Sequence, residues 1–119
     1  MCLFVSKTRN KNRKFVYKRF DLSYGELVSP FMNTPYKLGK EKRAKGVHKN
    51  TKYEREGIAR AGIHVYSNLS AAKKQASYGE VIVRCSVKPE DWLADGEDQE
   101  CLYKKITPIK IVLKKNWFC

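Results

Sequence analysis

Alternation between apolar and polar side chains predicts several short β-strands in the first part of the chain. The apolar residues 1–5 predict a first strand. Residues 15–20 predict a second, because their β-branched and aromatic side chains alternate in facing. One face of this second strand carries Phe15, Tyr17 and Arg19, and the other carries Val16, Lys18 and Phe20. Turn residues over 21–25 and a short return strand over 26–28 follow, which indicates a hairpin.

The second half of the chain has a more regular pattern. Residues 63–66 and 80–87 alternate as strands, with a helix over about 68–78 between them. Ser67 or Asn68 is the expected N-cap of this helix, and Gly79 lies at its expected C-terminal end. Residues 101–103 and 109–113 predict two closing strands, and Pro108 places the last at a sheet edge or at its own start. We therefore expect an α+β fold, a small and mostly antiparallel sheet packed against one main helix.

Acidic residues cluster in the segment 89–100. Asp91, Asp95, Glu97 and Asp98 lack the ligand order of a calcium-binding EF-hand loop. The segment therefore predicts a short helical turn followed by a solvated acidic loop.

Length and composition indicate one domain over residues 1–119, with 42% hydrophobic residues to form a modest core. No apolar run approaches the roughly 18–20 residues that span a bilayer. The apolar start followed by a basic stretch is the reverse of a signal peptide. We therefore expect a cytoplasmic protein without a membrane partner. Cys2, Cys85, Cys101 and Cys119 form no Cys-x-x-Cys pair, so we expect thiols and no metal site.

The positive charge is unevenly distributed along the chain. Residues 1–60 contain 16 Lys and Arg against 5 Asp and Glu, whereas residues 61–119 contain 9 against 7. The net charge of +13 is therefore concentrated in the first half. Most of it lies in a basic arm at 6–14 and a basic loop or insertion at 40–61. Such an asymmetry indicates contact with a polyanion.

Basic and aromatic side chains are interleaved in this first half. Phosphates are bound by Lys and Arg, and single-stranded bases stack on aromatic rings. The candidate nucleic-acid or partner-binding residues are Arg9, Lys11, Arg13, Lys14, Lys18, Arg19, Lys40, Lys42, Arg43, Lys45, Lys49, Lys52 and Arg55. The candidate stacking residues are Tyr17, Tyr36 and Tyr53. The alternative interpretation assigns Phe15 and some tyrosines to the core and the charges to a solvated surface, but it leaves the asymmetry of charge unexplained.

Sequence signals for catalysis are weak. The chain has no Gly-rich phosphate loop and no nucleophile elbow, and we expect no cofactor. His64 faces away from Ile63 and Val65 on a short strand, a position more typical of a structural histidine than of a catalytic one.

Several short segments, in order, resemble a group of small uncharacterised proteins of bacteriophages and mobile elements. They are residues 1–4 (MCLF), 16–18 (VYK), 29–31 (SPF), 36–40 (YKLGK), 62–66 (GIHVY), 71–72 (AA) and 81–85 (VIVRC). The resemblance covers most of the chain except the basic stretch at 41–61. The resemblance implies a protein of phage origin in the cytoplasm of a bacterial host. It also implies an action on host machinery or host defence, like that of anti-CRISPR proteins.

A second resemblance is to the outline of mono-ADP-ribosyltransferase folds, in residues 62–65, 70–72 and 81–83. That resemblance implies an early His or Arg, for which Arg19 is the candidate, and a late glutamate. The last strand has no acid, and Glu100 is the nearest one. This departure counts against an enzyme.

Three functions remain open at this point. The first is non-catalytic binding of RNA or DNA. The second is inhibition of a host defence system through contact with a host nucleic-acid-handling protein complex. The third is an ADP-ribosyltransferase-like activity. The sequence does not determine the oligomeric state.

Overall fold

Short β-strands make up most of the described chain. The computed structural model describes residues 3–4, 13–23, 25–29, 34–44, 58–59, 62–96 and 98–115. In chain order the strands are β1 (Leu3–Phe4), β2 (Phe15–Ser23), β3 (Glu26–Val28), β4 (Pro35–Tyr36), β5 (Lys42–Arg43), β6 (Ile58–Ala59), β7 (Ile63–Tyr66), β8 (Val81–Ser86), β9 (Trp92–Asp95), β10 (Glu100–Tyr103) and β11 (Lys105–Lys114). One helix, α1 (Leu69–Gln75), and a 3-10 turn (Pro89–Asp91) complete the elements of the described residues.

Nine of the described strands form one antiparallel sheet. Its main path runs β5-β11-β8-β2-β7-β10-β9, while β3 pairs with β2 and β4 pairs with β3. β1 and β6 pair with each other. The predicted architecture, a mostly antiparallel sheet with a helix, is confirmed, although the sheet is larger than expected and the helix smaller. No helix in the described part of the chain is long and apolar enough to cross a membrane.

The alternation of β2 separates the two faces of the sheet, as its sequence predicts. Val16 and Phe20 are fully buried on one face, in the larger apolar core. Tyr17 lies on the opposite face and packs against a smaller apolar cluster between α1 and the sheet. That cluster consists of Tyr66, Ala72, Ala76 and Ile82.

Helix α1 is shorter than the predicted helix over 68–78. It begins as expected, because Asn68 is the N-cap and its side-chain oxygen accepts a hydrogen bond from the Ala71 amide at 2.8 Å. It ends at Gln75, since Ala76 is already extended, with ψ of 141°. The Lys115 ammonium donates to the carbonyls of Lys73 and Ala76 and so satisfies the end of the helix.

Gly79 does not cap the helix, contrary to the prediction. It has a φ of +90° and donates its amide to the Lys115 carbonyl at 2.7 Å. Its left-handed conformation therefore serves the turn that leads from α1 into β8.

The acidic segment differs most from its prediction. A short 3-10 turn is present, but strand β9 follows it and pairs with β10. The prediction of a solvated loop is wrong for Asp91 and Asp95, which are 6% and 7% exposed. Both carboxylates face cations that are distant in sequence, Lys105 for Asp91 and Arg13 for Asp95, and these make their burial tolerable.

Pro108 lies within β11, where it pairs with Cys85 next to a β-bulge. Among the described strands, only β5 borders β11 on its outer side, and it pairs with Lys105 and Ile106 alone. Pro108 thus lies in the edge portion of the strand, as the prediction of an edge position requires.

Replacement of Gly62 by alanine is expected to lower the free energy of unfolding by about 1–3 kcal/mol. Gly62 has a φ of +127°, and an added Cβ would lie 2.9 Å from the Leu93 Cδ1 atom. Gly25→Ala is the matched control, because Gly25 also has a positive φ but has no atom near an added Cβ. Urea denaturation should show the larger loss for Gly62→Ala, and equal losses would contradict the steric contribution.

Candidate nucleic-acid interface

The structure describes only some of the predicted binding residues. Some lie outside the described residues: Arg9, Lys11, Lys45, Lys49, Lys52, Arg55 and Tyr53. Most of the basic arm and of the basic loop is therefore not described. The remaining candidates are Arg13, Lys14, Lys18, Arg19, Lys40, Lys42, Arg43, Tyr17 and Tyr36.

Arg13 is part of a buried polar cluster. Its guanidinium donates to both carboxylate oxygens of Asp95, at 2.9 and 2.7 Å, and to the hydroxyl of Tyr103 at 3.0 Å. Trp92 Nε1 donates to the same carboxylate at 3.0 Å. Burial alone would lower the pKa of Arg13, but the hydrogen bonds to Asp95 and Tyr103, together with the charge interactions around the guanidinium, raise it overall. Arg13 therefore holds the start of β2 against β9 and is not directed at a ligand.

Lys18 lies in the core, and its ammonium donates to the His64 carbonyl at 2.9 Å. Within the described residues the ladder between β2 and β7 pairs only Tyr17 with Tyr66. The Lys18 ammonium thus links β2 to the backbone of β7 outside the single paired position of the two strands. Burial lowers the pKa of Lys18 to about 8. A side chain in this position does not reach a phosphate on the surface.

Arg19 lies on the helix side of β2. It contacts the Glu80 carboxylate at 3.2 Å and the Gln75 carbonyl at 3.0 Å. Glu100, the late acid of the ADP-ribosyltransferase outline, begins β10, and burial raises its pKa. The guanidinium of Arg19 is engaged in binding α1 to the sheet.

Two groups of candidate cations remain at the surface. Lys14 is exposed and directly precedes β2, whereas Lys40, Lys42 and Arg43 lie at the β5 edge, with β11 and β8 between them and β2. The structure therefore does not bring the two groups together. Tyr36 is only 8% exposed, with its ring 4.9 Å from that of Phe20, so it is not accessible to a base.

Tyr17, by contrast, belongs to a cluster on the sheet surface, which we call the aromatic–arginine patch and define as Phe15, Tyr17 and Arg84. Phe15 and Tyr17 share one face of β2, and Arg84 pairs with Tyr17 from the adjacent strand β8. The guanidinium carbon of Arg84 lies 5.6 Å from the centre of the Phe15 ring and 6.0 Å from that of Tyr17. Both distances allow cation–π attraction.

The patch remains accessible from solvent. Phe15 is 45% exposed, although an apolar ring of this size is normally buried. Arg84 is half-buried, and its Nε, which has no hydrogen-bond partner among the described residues, is itself buried. A ligand on this face would meet the exposed ring of Phe15 and could contact Arg84 only through its terminal nitrogens.

Further cations surround the patch. Lys110 pairs with Arg84 from β11 and is exposed. Lys14 lies at the Phe15 end, where its carbonyl accepts the amide of Val87, and the exposed Lys88 follows directly. The patch therefore offers aromatic surface within a basic environment, which suits an anionic ligand that has flat rings.

Two residues of the patch were not among the predicted binding residues. The alternative interpretation of the aromatic side chains places Phe15 in the core, and Arg84 belongs to the half of the chain with little net charge. The alternation within each strand indicates correctly which side chains share a face. It does not indicate that β2 and β8 are neighbours, and this neighbourhood creates the patch.

The two described cysteines, Cys85 and Cys101, are both buried. Burial raises the pKa of both Cys85 and Cys101 to about 12, so both remain thiols at neutral pH. Within the described residues, no group of three or more His, Cys, Asp or Glu side chains could hold a metal ion.

No protein-family model, curated protein or solved structure matches the chain. The side chains of the patch therefore carry the functional inference.

Proposed function

We propose that the protein binds nucleic acid without catalysing a reaction, through the aromatic–arginine patch and the lysines around it. The observation that supports this most is the position of Arg84, beside two aromatic rings on an exposed sheet face. Aromatic rings bind bases and a guanidinium binds phosphate, so the patch supplies the two chemical groups that a polynucleotide needs. The net charge of +13 favours association with a polyanion.

The proposed biological setting is that of a small phage-type protein in a bacterial host. The alternative within this proposal is an anti-CRISPR-like contact with a nucleoprotein of host defence, in which the same basic surface would meet a protein. No contact in the described residues favours an ADP-ribosyltransferase, because Arg19 is engaged with Glu80.

Binding to nucleic acid should weaken steeply as salt increases. About four phosphates would be neutralised if Lys14, Arg84, Lys88 and Lys110 each contact one. The dissociation constant should then rise roughly 50-fold between about 50 and 200 mM salt, because each neutralised phosphate releases counterions. Fluorescence anisotropy with a labelled single-stranded oligonucleotide measures this dependence, and a flat response would contradict the proposal.

Two further measurements test whether binding depends on the patch or on net charge alone, and whether the partner is nucleic acid or protein. Arg84→Gln should weaken binding more than Lys74→Gln, which removes the same charge from an exposed position on α1. A pull-down from bacterial lysate with and without nuclease identifies the partner. Retention of a stoichiometric host protein after nuclease treatment would replace the first proposal with the contact to a defence protein.

A further inference from the structure

We infer that the ligand of the aromatic–arginine patch is single-stranded, with two adjacent bases stacked on Phe15 and Tyr17 and the phosphate between them bound by Arg84. This inference rests on the proposed function and specifies the form of its ligand. Three features of the patch carry it: the spacing of the rings, the place of the guanidinium and the position of α1.

The spacing of the two rings favours an extended strand over a duplex. Phe15 and Tyr17 are two residues apart on the same face of β2, which corresponds to roughly 6.8 Å along a strand. Successive bases of a duplex strand are only about 3.4 Å apart. In a duplex the face of each base is also covered by its neighbours, so neither ring could stack on it without unstacking the helix. Two bases of an extended single strand can be separated to match the rings.

The guanidinium lies where the linking phosphate is expected. The guanidinium carbon lies over both rings, at nearly equal distances of 5.6 and 6.0 Å from their centres. It comes from the neighbouring strand β8 and therefore flanks the line of the two bases. Its terminal N–H donors match phosphate oxygens, whereas Nε is buried and does not face a surface ligand. A base on each ring would place their common phosphate within reach of these terminal donors.

The position of α1 limits the site to two bases. Beyond Tyr17 the sheet surface is occupied by α1, because Arg19 contacts the Gln75 carbonyl. Tyr17 itself packs partly against the cluster under α1 and keeps an intermediate exposure. On the Phe15 side, the described residues next to the ring include the exposed Lys14 and Lys88. A strand would therefore leave the patch past Phe15, where these two lysines can bind the next phosphates.

A comparison of single-stranded and duplex ligands tests the inference on the full chain. The probes are fluorescein-labelled oligothymidylate of about 12 nucleotides, a length that covers one small site, and its duplex with oligodeoxyadenylate. At equal salt the single strand should bind at least about 10-fold more tightly. Phe15→Leu keeps an apolar side chain but removes the ring, and it should weaken single-strand binding by about 5- to 100-fold.

Leu22→Ala is the control for the loss of an apolar side chain. Leu22 is 41% exposed on the same strand but on the opposite face, so its replacement should leave both affinities unchanged.

Arg84→Lys tests the two-pronged donor geometry of the guanidinium. It keeps the positive charge but removes the paired N–H donors, so it should weaken single-strand binding while the salt dependence stays the same.

The failure of the inference can be distinguished from that of the proposed function. Equal binding of duplex and single strand, or tight binding that ignores Phe15→Leu, would overturn the two-base site while leaving nucleic-acid binding in place. Binding of neither probe at low salt would overturn both.

Discussion

The variant Asp95→Ala is expected to lose about 3–5 kcal/mol of unfolding free energy. The carboxylate accepts two hydrogen bonds from Arg13 and one from Trp92, and the side chains of the ion pair are only 12% and 10% exposed. Removal of the carboxylate would leave the Arg13 guanidinium charged and enclosed, with its remaining hydrogen bond to Tyr103. Loss of one partner of a buried pair costs more than the pair contributes, because the other charge stays desolvated.

Urea denaturation followed by circular dichroism measures this loss, and Glu41→Ala is its control. Glu41 contacts Lys105 at 3.8 Å, but its side chain is 54% exposed, so its removal should cost less than about 1 kcal/mol. The double variant Arg13→Met with Asp95→Leu should be more stable than Asp95→Ala, since it leaves no unpaired charge. If Asp95→Ala lowers the free energy of unfolding no more than Glu41→Ala does, the contacts of Arg13 with Asp95 do not stabilise the start of β2.

The sequence predicts those strands and caps that depend only on neighbouring residues. Alternation predicts the strands at 15–20, 63–66 and 80–87, and the turn residues at 21–25 predict the return strand at 26–28. The residue types at the start of the helix predict a cap at Ser67 or Asn68, and Asn68 is the N-cap. Strand β9 was missed because its acidic residues favour a loop. The buried carboxylate of Asp95 is paired with Arg13, which lies 82 positions away in the sequence.

For the helix and the charged residues, too, local features follow from the sequence and features that depend on distant contacts do not. The sequence predicts the start of α1 from its cap, but the end of the helix depends on Lys115, whose ammonium satisfies the carbonyls of Lys73 and Ala76. Arg13, Lys18 and Arg19 looked like surface cations because their own segment is basic. Each in fact meets a carbonyl or a carboxylate from a distant element. Pairing between distant strands thus decides which cations stay at the surface.

Replacement of Lys18 by methionine is expected to stabilise the protein at neutral pH by about 1–2 kcal/mol. Methionine has a similar length and fills the space between Phe20 and Tyr36 without a charge. The gain is the removal of a desolvated ammonium, whose pKa is lowered from 10.5 to about 8, equivalent to about 3 kcal/mol. The loss is the hydrogen bond to the His64 carbonyl, which costs about 1–2 kcal/mol when it is removed.

The advantage of Lys18→Met should disappear as pH rises, and this dependence distinguishes it from better packing. Between pH 8 and 10.5 the unfolded chain binds a proton at Lys18 that the folded protein has released, so the wild type gains stability with pH. The difference between variant and wild type should therefore fall by about 1 kcal/mol between about pH 7 and pH 9. Cys85 and Cys101, whose raised pKa values act in the opposite direction above pH 9, are present in both proteins and their effects largely cancel. Urea denaturation across this range measures the difference, and a constant difference would show that Lys18 has the same pKa in the folded and unfolded chain.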